Sequence, residues 1–473
     1  MRLQCNHALC SDATGDATDA QQLQARPQAR GYLLTRAREA RGWTGPEMAR
    51  RLREFSVEAG HPISTGRDGI WYWEHDRTPD HRTQLLIAGL LGIRLDAVDE
   101  RPWPEWLSED PAQRPASRPW TVPGAAWSLY ELTQTRGAVD TTRRDLVLIA
   151  GGTLTAALLA WLTADPAAAG QLTTGRRIGE AAIARIEDRA AMLRRMDDED
   201  GGGTILTEAS SALALTVALI RDRSYSDVHG TRLYAVASDL ARQRAAALFD
   251  VHGVCADGPY ETALRAAKAA QDDALGANCL AFWASSAYNT GRLHDGEAMA
   301  SAAVASVRGR TTPLVTAILY SRRGRARARL GDTRCWADFD RAEQLIAAPR
   351  AQENPEWAYW FDQAEIHGAR ASSYLDMNQP GRAETSFAQA QALFDPAAAR
   401  TQALYLTRQS IAQLDQEHVE QSCATANKAL DIAESISSRR TTAPLLDLAS
   451  RLDAYNVPEA RDFRERARSG LAD

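Results

Sequence analysis

Lysine, cysteine and aromatic residues are scarce in this chain of 473 residues. Only Lys268 and Lys428 are lysines, six cysteines are scattered along the sequence, and aromatic residues make up 7% of it. Scattered cysteines in a chain of this length exclude a small domain stapled by disulfides and are typical of a reducing compartment. We therefore predict a cytoplasmic protein with no disulfide framework.

Signals for secretion, metal binding and common enzyme reactions are also few. Residues 1–30 lack a charged head followed by an apolar run, so we predict a disordered tail there and no secretory signal. The motifs H-E-x-x-H, G-x-S-x-G and G-x-x-x-x-G-K-[ST] are absent, and the nine histidines lie apart. We therefore predict no catalytic residue, no metal and no cofactor, and expect the chain not to be an enzyme.

The composition that is present favours several folded domains. Hydrophobic residues make up 44% of the chain and charged residues 25%, with a net charge of −6. This length and composition support about three domains with buried cores. Because the chain as a whole is acidic, a nucleic-acid site would have to be a local basic face.

Residues 31–100 contain signals for four or five short helices. Leu34 and Ala37 share one helical face, and Gly42 supplies the backbone freedom that a helix end needs. Thr44 with Glu47 three residues later is a capping box, which predicts the start of a second helix. The buried stripe of that helix is the i, i+4, i+7 series Met48, Leu52 and Phe55.

A third helix is predicted from Thr65 to Glu74, with Ser64 or Thr65 as its cap. Ile70 and Trp73 face inward in this helix, and the residues left nearer the solvent are Arg67, Asp68, Trp71 and Tyr72. A further helix over residues 85–91 closes the core.

The runs RAREARGWTGPEMARRL, IWYWEHDRTPD and LLIAGLLGI, in this order, resemble the Cro/lambda-repressor type of helix-turn-helix, the XRE family, over about 65 residues. The resemblance implies that the third helix is the recognition helix, which enters the DNA major groove with its first residues. It also implies a structural ion pair between Arg38 and Glu74. Roughly eleven residues are inserted within Arg53–Gly66 relative to the family, and we expect them to extend the second helix and its turn.

Carried over by position, the resemblance implies Arg67, Asp68 and Tyr72 as base-reading residues. Arginine suits guanine O6 and N7, and aspartate can accept a hydrogen bond from cytosine N4. The segment 36–94 holds ten arginines against eight acidic residues, so it is weakly basic within an acidic chain. The residues expected to contact phosphates are Thr65, Arg77, Thr78 and Arg82.

Two unusual segments lie between residues 101 and 173. Prolines and tryptophans alternate within residues 101–140, which predicts a docked connector whose WPEWL run straps the front module onto the next part of the chain. Residues 141–173 are predicted as an apolar helix, because Leu146 to Ala164 is a run of about nineteen uncharged residues. A membrane span and a fully buried helix both match this run, so the sequence leaves the choice open, although we expect no membrane.

Residues 174–473 show no strand signals and carry triplets of small or aromatic residues at positions 0, +4 and +7. Five such triplets occur, and their last members are 35, 37, 48 and 39 residues apart, which is near the period of helical-hairpin repeats. The triplets are Ala263/Ala267/Ala270, Ala298/Ala302/Ala305, Cys335/Phe339/Ala342, Ala383/Phe387/Ala390 and Ser422/Ala426/Ala429.

The run ARASSYLDMNQPGRAETSFAQAQALFDP resembles a tetratricopeptide repeat. Its small and aromatic positions are Ala371, Tyr374, Ala383, Phe387 and Ala390, and Asn378 stands where glycine is commoner. An ordinary alanine-rich helical bundle is the alternative. We predict an all-α fold in which an N-terminal helix-turn-helix domain (31–100) precedes an α-solenoid of degenerate tetratricopeptide-like hairpins (174–473).

The concave wall of such an array is lined by the first helix of each pair and usually takes a peptide or a partner helix. Asn289 and Arg325 are the better ligand donors by this reasoning, whereas Trp357, Trp360 and Phe361 also suit a core between repeats. The residues expected on this wall are Tyr288, Asn289, Arg322, Arg325, Trp357, Trp360, Asp362, Glu365 and His367.

The whole plan resembles actinobacterial regulators that join this helix-turn-helix to a tetratricopeptide-like array, and is similar to peptide-pheromone-sensing regulators of other Gram-positive bacteria. The resemblance implies a transcriptional regulator that binds a double-stranded DNA operator as a homodimer and senses a peptide, small-molecule or protein effector. The alternative is an interaction scaffold whose front domain docks protein, with or without a membrane tether. Gly45-Pro46, which replaces a glutamine common in the family, and the inserted turn motivate that alternative.

Overall fold

The structure is a computed structural model, and its described residues form two compact units, one within 32–109 and one within 120–471. All elements in the described ranges are helical, apart from an isolated bridge between Arg177 and Ser224, so the predicted all-α class is confirmed. The predicted tail, 1–30, lies outside the described ranges, which are 32–39, 43–75, 77–93, 95–109, 120–134, 151–163, 177–348, 352–395, 398–436 and 438–471.

The described part of the N-terminal unit contains five α-helices and one 3₁₀ helix. Thr44 caps the second helix as its sequence predicts, since the Thr44 hydroxyl accepts the N–H of Glu47 at 3.3 Å. Asp80 caps the fourth helix through the N–H of Thr83 at 2.9 Å. Helices α1 to α5 are Tyr32–Glu39, Gly45–Glu58, Arg67–His75, His81–Leu91 and Ala97–Glu100, and the 3₁₀ helix is Glu105–Glu109.

One apolar core holds the helices of this unit together. Leu52 of α2, Ile70 of α3 and Ile87 of α4 are fully buried in it. The ends of α1 and α3 are joined by an ion pair between Arg38 Nε and Glu74 Oε1 at 2.7 Å, the pair that the sequence resemblance implies. The inner side of α3 is therefore fixed at its middle and at its end.

The inserted residues lengthen α2 to Glu58 and then form a turn that is anchored on Ser56. The Ser56 side chain is fully buried, and its Oγ accepts the N–H of Ile63 at 3.1 Å. The Ser56 carbonyl accepts the N–H of His61 at 2.7 Å. As expected, the insertion extends the helix and its turn, and it leaves the packing of α2 on α3 in place.

The boundary between the units differs from the predicted domain limits. Trp106 is fully buried in the N-terminal core, and its Nε1 donates to Gln84 Oε1 at 2.9 Å. The WPEWL run therefore belongs to the N-terminal unit rather than to a connector. The last part of the predicted connector is helix α6, Val122–Gln134, in the C-terminal unit, where the Leu132 carbonyl accepts from Arg244 Nη1 at 3.0 Å.

The C-terminal unit is a series of packed helical pairs. The pairs are α10 with α11, α12 with α13, α14 with α15, α16 with α17 and α18 with α19, and the first helices of successive pairs contact one another. This arrangement is the predicted α-solenoid. The helices from α7 onward are Gly151–Thr163, Glu180–Asp200, Gly202–Asp222, Asp227–His252, Asp257–Ala269, Asp273–Asn289, Leu293–Ser306, Pro313–Arg329, Cys335–Ile346, Gln363–Asp376, Pro380–Gln391, Ala399–Leu414, Val419–Ala433, Arg439–Arg451 and Pro458–Gly470, with 3₁₀ helices at Glu356–Ala358 and Leu452–Ala454.

Four of the five triplets lie buried on the second helix of a pair, but the triplet of α13 was predicted in the wrong register. Ala298 and Ala305 are exposed, whereas Gly296, Ala300 and Ala303 occupy the buried 0, +4, +7 positions. A Cβ at Gly296 would lie 3.1 Å from the Ala284 carbonyl oxygen. Glycine therefore permits the close approach of α13 to α12, and a search for alanine alone misses it.

The hairpin with the clearest repeat pattern, α16 with α17, has the predicted packing. Ala371, Ala383 and Phe387 are fully buried, and Tyr374 is nearly so. Asn378 in the turn adopts a φ of 56°, the left-handed conformation for which glycine is commoner and asparagine is a tolerated replacement.

The solenoid returns to its own first helices. Helix α18 contacts α8, and α20 contacts α10. Asp250 of α10 lies fully buried at this closure, where it accepts the Gly202 N–H at 2.8 Å and the Ser438 hydroxyl at 2.8 Å. Arg400 and Arg440 lie 3.7 and 3.9 Å from the same carboxylate. The array is therefore closed into a ring.

The described part of the apolar run, α7, is packed into this unit. Leu154 and Trp161 are buried, and a Cβ at Gly276 of α12 would lie 2.9 Å from the Trp161 ring. Among the described helices, α9 is the one long and apolar enough to cross a membrane. It buries Leu213 and Val217 while packing against α8 and α10, and Leu215 on its other side is exposed.

Candidate functional site

The N-terminal unit presents a polar and aromatic face on α3. Arg67 and Asp68 in its first turn are exposed, and neither has a hydrogen bond or ion pair with any described residue. Trp71 and Tyr72 in the next turn are 51% and 40% exposed. The predicted base-reading residues Arg67, Asp68 and Tyr72 are thus placed together on the outer side of one helix.

Glycine at position 69 shapes the start of this face. A Cβ at Gly69 would lie 2.8 Å from the Thr65 Cγ2 methyl group. Thr65, which is half-buried, therefore folds over the first turn of α3. Its carbonyl accepts from Arg53 Nη1 of α2 at 2.6 Å, so the insertion itself helps to hold the amino end of α3.

The residues expected at phosphates lie on both sides of this face. Arg77 and Thr78 are exposed directly after α3, and the Arg77 guanidinium lies 4.6 Å from the Tyr72 ring centroid. Arg82 at the start of α4 is exposed and hydrogen-bonds His61 in the inserted turn. Thr65 precedes α3, so the four predicted phosphate contacts bracket the helix.

The C-terminal unit has a cavity of about 540 Å³, partly open to solvent, between the first helices of its pairs and the helices that close the ring. The 48-residue spacing between two of the repeat triplets is explained here, because the extra residues around Glu356–Ala358 form part of the wall. Tyr359 of that segment donates to Asp198 of α8. Aromatic residues on the wall are Phe249, Tyr260, Phe282, Trp357, Tyr359, Trp360, Phe394 and Tyr405.

Most buried arginines of this cavity are neutralised by carboxylates. Asp239 pairs with both Arg194 and Arg242, the latter at 2.8 Å. Arg400 pairs with Asp197 at 2.9 Å. Burial raises the pKa of the Asp197 carboxyl, and the nearby Arg400 opposes that rise. The pair of Arg194 with Asp239 joins α8 to α10, and the pair of Arg400 with Asp197 joins α18 to α8.

Arg322 of α14 differs from the other arginines. It is half-buried, its guanidinium lies 5.1 Å from the Trp360 ring centroid and 6.0 Å from that of Phe282, and no described carboxylate lies within ion-pair distance. Its Nε is buried and lacks a hydrogen-bond partner. Asn278 of α12, which is 1% exposed and also lines the cavity, has a side-chain oxygen with no partner.

Glu365 of α16 is an acidic residue of the cavity wall that interacts electrostatically with Arg322 without forming an ion pair with it. Burial raises the pKa of Glu365 to about 7, although Arg322 opposes the rise. The Tyr405 hydroxyl donates to Glu365 Oε2 at 3.4 Å. The same carboxylate accepts no hydrogen bond from Arg322, so the charge of that arginine remains available to the cavity.

The structure brings together four of the six predicted ligand-binding residues, Arg322, Trp357, Trp360 and Asp362, on the cavity wall. Asn289 and Arg325, which looked like the better ligand donors, lie outside it. Asn289 donates to the Ser285 carbonyl of its own helix at 2.9 Å. Arg325 is buried in an ion pair with Asp376 at 2.7 Å. Their hydrogen-bonding groups are used within the fold.

Several residues that line the cavity were not predicted from the sequence, among them Asn278, Phe282, Arg400 and Tyr405. Asn278 and Phe282 lie on α12 as Asn289 does, but about three and two turns earlier. The helical period shows which residues share a face but does not show how far along the helix the wall extends. Arg400 and Tyr405 line the cavity only because the solenoid closes, and no local pattern predicts that closure.

No family model and no curated protein matches this chain. Among solved structures, it is similar to a signal transduction ATPase with numerous domains (STAND) protein with a tetratricopeptide repeat sensor from Pyrococcus horikoshii. The sequence identity is 13% and the TM-score is 0.34, over 93% of this chain and 71% of that chain. A score at this level transfers no activity or partner to the present chain.

This comparison bears on one prediction. The prediction that the chain is not an enzyme is contradicted by this comparison, because the matched protein is described as an ATPase. We therefore do not retain that expectation.

Proposed function

We propose that this chain is a DNA-binding transcriptional regulator of the XRE type, with a closed helical-repeat domain as its sensor. The observation that carries the proposal is the exposed face of α3. Arg67, Asp68 and Tyr72 point outward there, while Ile70 in the core and the ion pair from Glu74 to Arg38 fix the opposite side. A helix held in this way can enter a major groove without rearrangement.

The chemistry of the face suits base reading. Arg67 carries a guanidinium that can donate two hydrogen bonds to guanine, and Asp68 can accept one from cytosine N4. Arg77, Thr78 and Arg82 on the flanks can contact phosphates, which set the position of the helix on the duplex. A second copy of the chain would present a second α3, with half-sites one helical turn apart.

The cavity of the C-terminal unit supplies the sensor. A cavity of about 540 Å³ lies within the usual volume range of small-molecule sites. Occupation of this cavity is proposed to change the affinity of the chain for its operator. Such a change requires an effector that binds the two states of the protein with different affinity.

The proposal is tested by selecting duplexes from a random pool with the full chain and sequencing those that are retained. We expect one enriched motif and, for Arg67→Ala, a loss of affinity of about 1–3 kcal/mol together with relaxed preference at one position. Arg334→Ala is the matched control, since Arg334 is an exposed arginine of the other unit. No enriched motif, or equal binding by the Arg67 and Arg334 variants, would reject the proposal.

A second candidate function is protein docking through the same face, and the exposure of Trp71 and Tyr72 favours it. The two candidates differ in their salt dependence. Duplex binding through several phosphates weakens steeply as salt rises, whereas docking on aromatic rings changes little. A retained partner that is protein, binds independently of salt and is lost in Trp71→Ser would favour docking.

A further inference from the structure

The cavity of the C-terminal unit has a size and closure that restrict its occupant. Contacts of α18 with α8 and of α20 with α10 close the ring around it, and the buried Asp250 ties these elements together. An extended peptide needs a groove with open ends. The cavity within this ring has a volume of about 540 Å³ and is partly open to solvent, which is the volume of a site for a single small molecule.

The charge in this cavity is uneven. Arg194, Arg242 and Arg400 each have a carboxylate partner, whereas Arg322 has none among the described residues. Behind Arg322, the buried Arg325 pairs with Asp376. Arg408, which is half-buried and shows no ion pair with a described residue, has its pKa lowered to about 10 by desolvation and by the charge of Arg325. Asp362 and Glu365 line the same wall, but neither forms an ion pair with Arg322, so its guanidinium can still donate to an anionic group.

The groups next to Arg322 define the rest of the site. Trp360 and Phe282 meet edge to face, with ring centroids 6.0 Å apart, and both lie against the guanidinium. This geometry leaves aromatic surface beside a cation. Asn278, on the same wall, holds a buried side-chain oxygen with no partner, and a buried amide in this condition is expected to be satisfied by a ligand or water.

We propose that this cavity binds a small aromatic molecule that carries one anionic group, with the anion at Arg322, the aromatic body against Trp360 and Phe282, and a polar group at Asn278. This inference deepens the proposed function by naming the class of effector, and it rests only on the sensor part of that function. Binding in the cavity and binding of DNA are measured separately, so each can fail alone.

Two dyes form a matched pair of probes. Anilinonaphthalene sulfonate is aromatic and anionic, and N-phenylnaphthylamine is the same aromatic body without the sulfonate. Titration of the full chain, followed by dye fluorescence, is expected to show one saturable site with higher affinity for the anionic dye. Arg322→Gln is expected to weaken binding of the anionic dye about 10- to 100-fold while changing binding of the neutral dye about twofold or less.

Arg334→Gln is the control, because it removes an equally charged but exposed arginine and is expected to leave both dyes unchanged. Equal affinity of the wild type for the two dyes, or an equal effect of the Arg322 and Arg334 variants, overturns the proposal. Failure to bind either dye also overturns it, and is the result expected of a site for extended peptides.

A second variant covers the case in which Arg322→Gln does not fold, as judged by circular dichroism. Ala246 of α10 is half-buried and lines the cavity, so Ala246→Phe places a ring in the proposed site. This variant is expected to abolish binding of both dyes. Unchanged binding of both dyes by a folded Ala246→Phe protein would place them outside the cavity and overturn the proposal.

Discussion

The two units of this molecule differ in where their arginine side chains lie. In the N-terminal unit, Arg67, Arg77 and Arg82 lie on the exterior around α3, where a large partner can reach them. In the C-terminal unit, arginines such as Arg242 and Arg400 line a cavity and pair with carboxylates of the same unit. The same side chain therefore lies on the exterior of one unit and lines a cavity in the other.

This difference follows from how each unit satisfies its charges. Exposed arginines are solvated, cost little to leave unpaired and remain available for phosphates and base edges. Arginines that are removed from solvent require partners, and the half-buried Arg322 has no described carboxylate partner, a place that a ligand can take. We therefore expect substitutions of buried charges to affect stability most in the C-terminal unit, and substitutions of exposed charges to affect binding in the N-terminal unit.

The largest stability effect is expected for Asp250→Ala. This carboxylate accepts the Gly202 N–H and the Ser438 hydroxyl and lies near two arginines, so its removal leaves buried groups unpaired at the ring closure. Urea unfolding of the C-terminal unit should show a loss of about 3–5 kcal/mol. Asp431→Ala, which removes the exposed partner of Arg466, should cost about 1 kcal/mol or less. Similar losses in the two variants would contradict a closed ring.

A smaller effect is expected for Gly368→Ala, next to the cavity residue Tyr405. The added Cβ would lie 2.2 Å from the Tyr405 ring, so the ring must move. We expect a loss of about 1–3 kcal/mol in unfolding free energy from this overpacking. Gly258→Ala is the control, because open space surrounds a Cβ there, and it should change stability by about 1 kcal/mol or less. An equal effect of both variants would place Tyr405 elsewhere.

The pH dependence of stability tests the buried acid. The pKa of Glu365 is raised by burial from an ordinary 4.5 to about 7. The native state then holds a proton that the unfolded state releases, so stability from this group is full below pH 4.5 and is lost as the pH rises through 7. Between these values the wild type should lose about 1–3 kcal/mol more than Glu365→Gln in urea unfolding.

The groups facing Glu365 are the cation Arg322, the carboxylates Asp362 and Asp198, and the Tyr405 hydroxyl. These neighbours stay in place in the glutamine variant, which makes it a matched control for their own titration. Parallel pH profiles for the two proteins would show that Glu365 is ionised at neutral pH and that Arg322 is neutralised by it.

The smallest effect is expected in the N-terminal unit, at the start of α2. Thr44→Ala removes the hydroxyl that accepts the Glu47 N–H at an exposed helix end. The loss should be about 0.5–1 kcal/mol in urea unfolding. Thr78→Ala, an exposed threonine that caps no helix, should leave the unfolding free energy unchanged. If Thr44→Ala lost more unfolding free energy than Asp250→Ala, the expected order of the two units would be reversed.

The N-terminal unit could be predicted closely from the sequence because its signals are local. The predicted third helix, Thr65 to Glu74, is observed as Arg67–His75, and the pairing of Arg38 with Glu74 is present. A capping threonine and an apolar stripe at helical spacing act within one or two turns. The limit of this unit was predicted too early, since Trp106 reaches the core from outside the recognised pattern.

The repeat array was predictable in kind but less so in register. Glycine at 296 takes a small-residue position that the alanine pattern assigned to Ala298. The preference for Arg325 over Arg322 was also undone by a non-local fact, the position of Asp376 in a later helix. The cavity depends on ring closure, which joins residues about two hundred positions apart, such as Asp197 and Arg400.

We propose that α3 contacts DNA and that Arg322 contacts an anionic ligand in the cavity, and one experiment tests both proposals. Arg67→Ala and Arg322→Gln proteins are each measured for binding of the selected duplex and of anilinonaphthalene sulfonate. The account predicts that the first variant loses the duplex and keeps the dye, whereas the second keeps the duplex in the absence of dye and loses the dye. Loss of both ligands in either folded variant, or of neither, would contradict it.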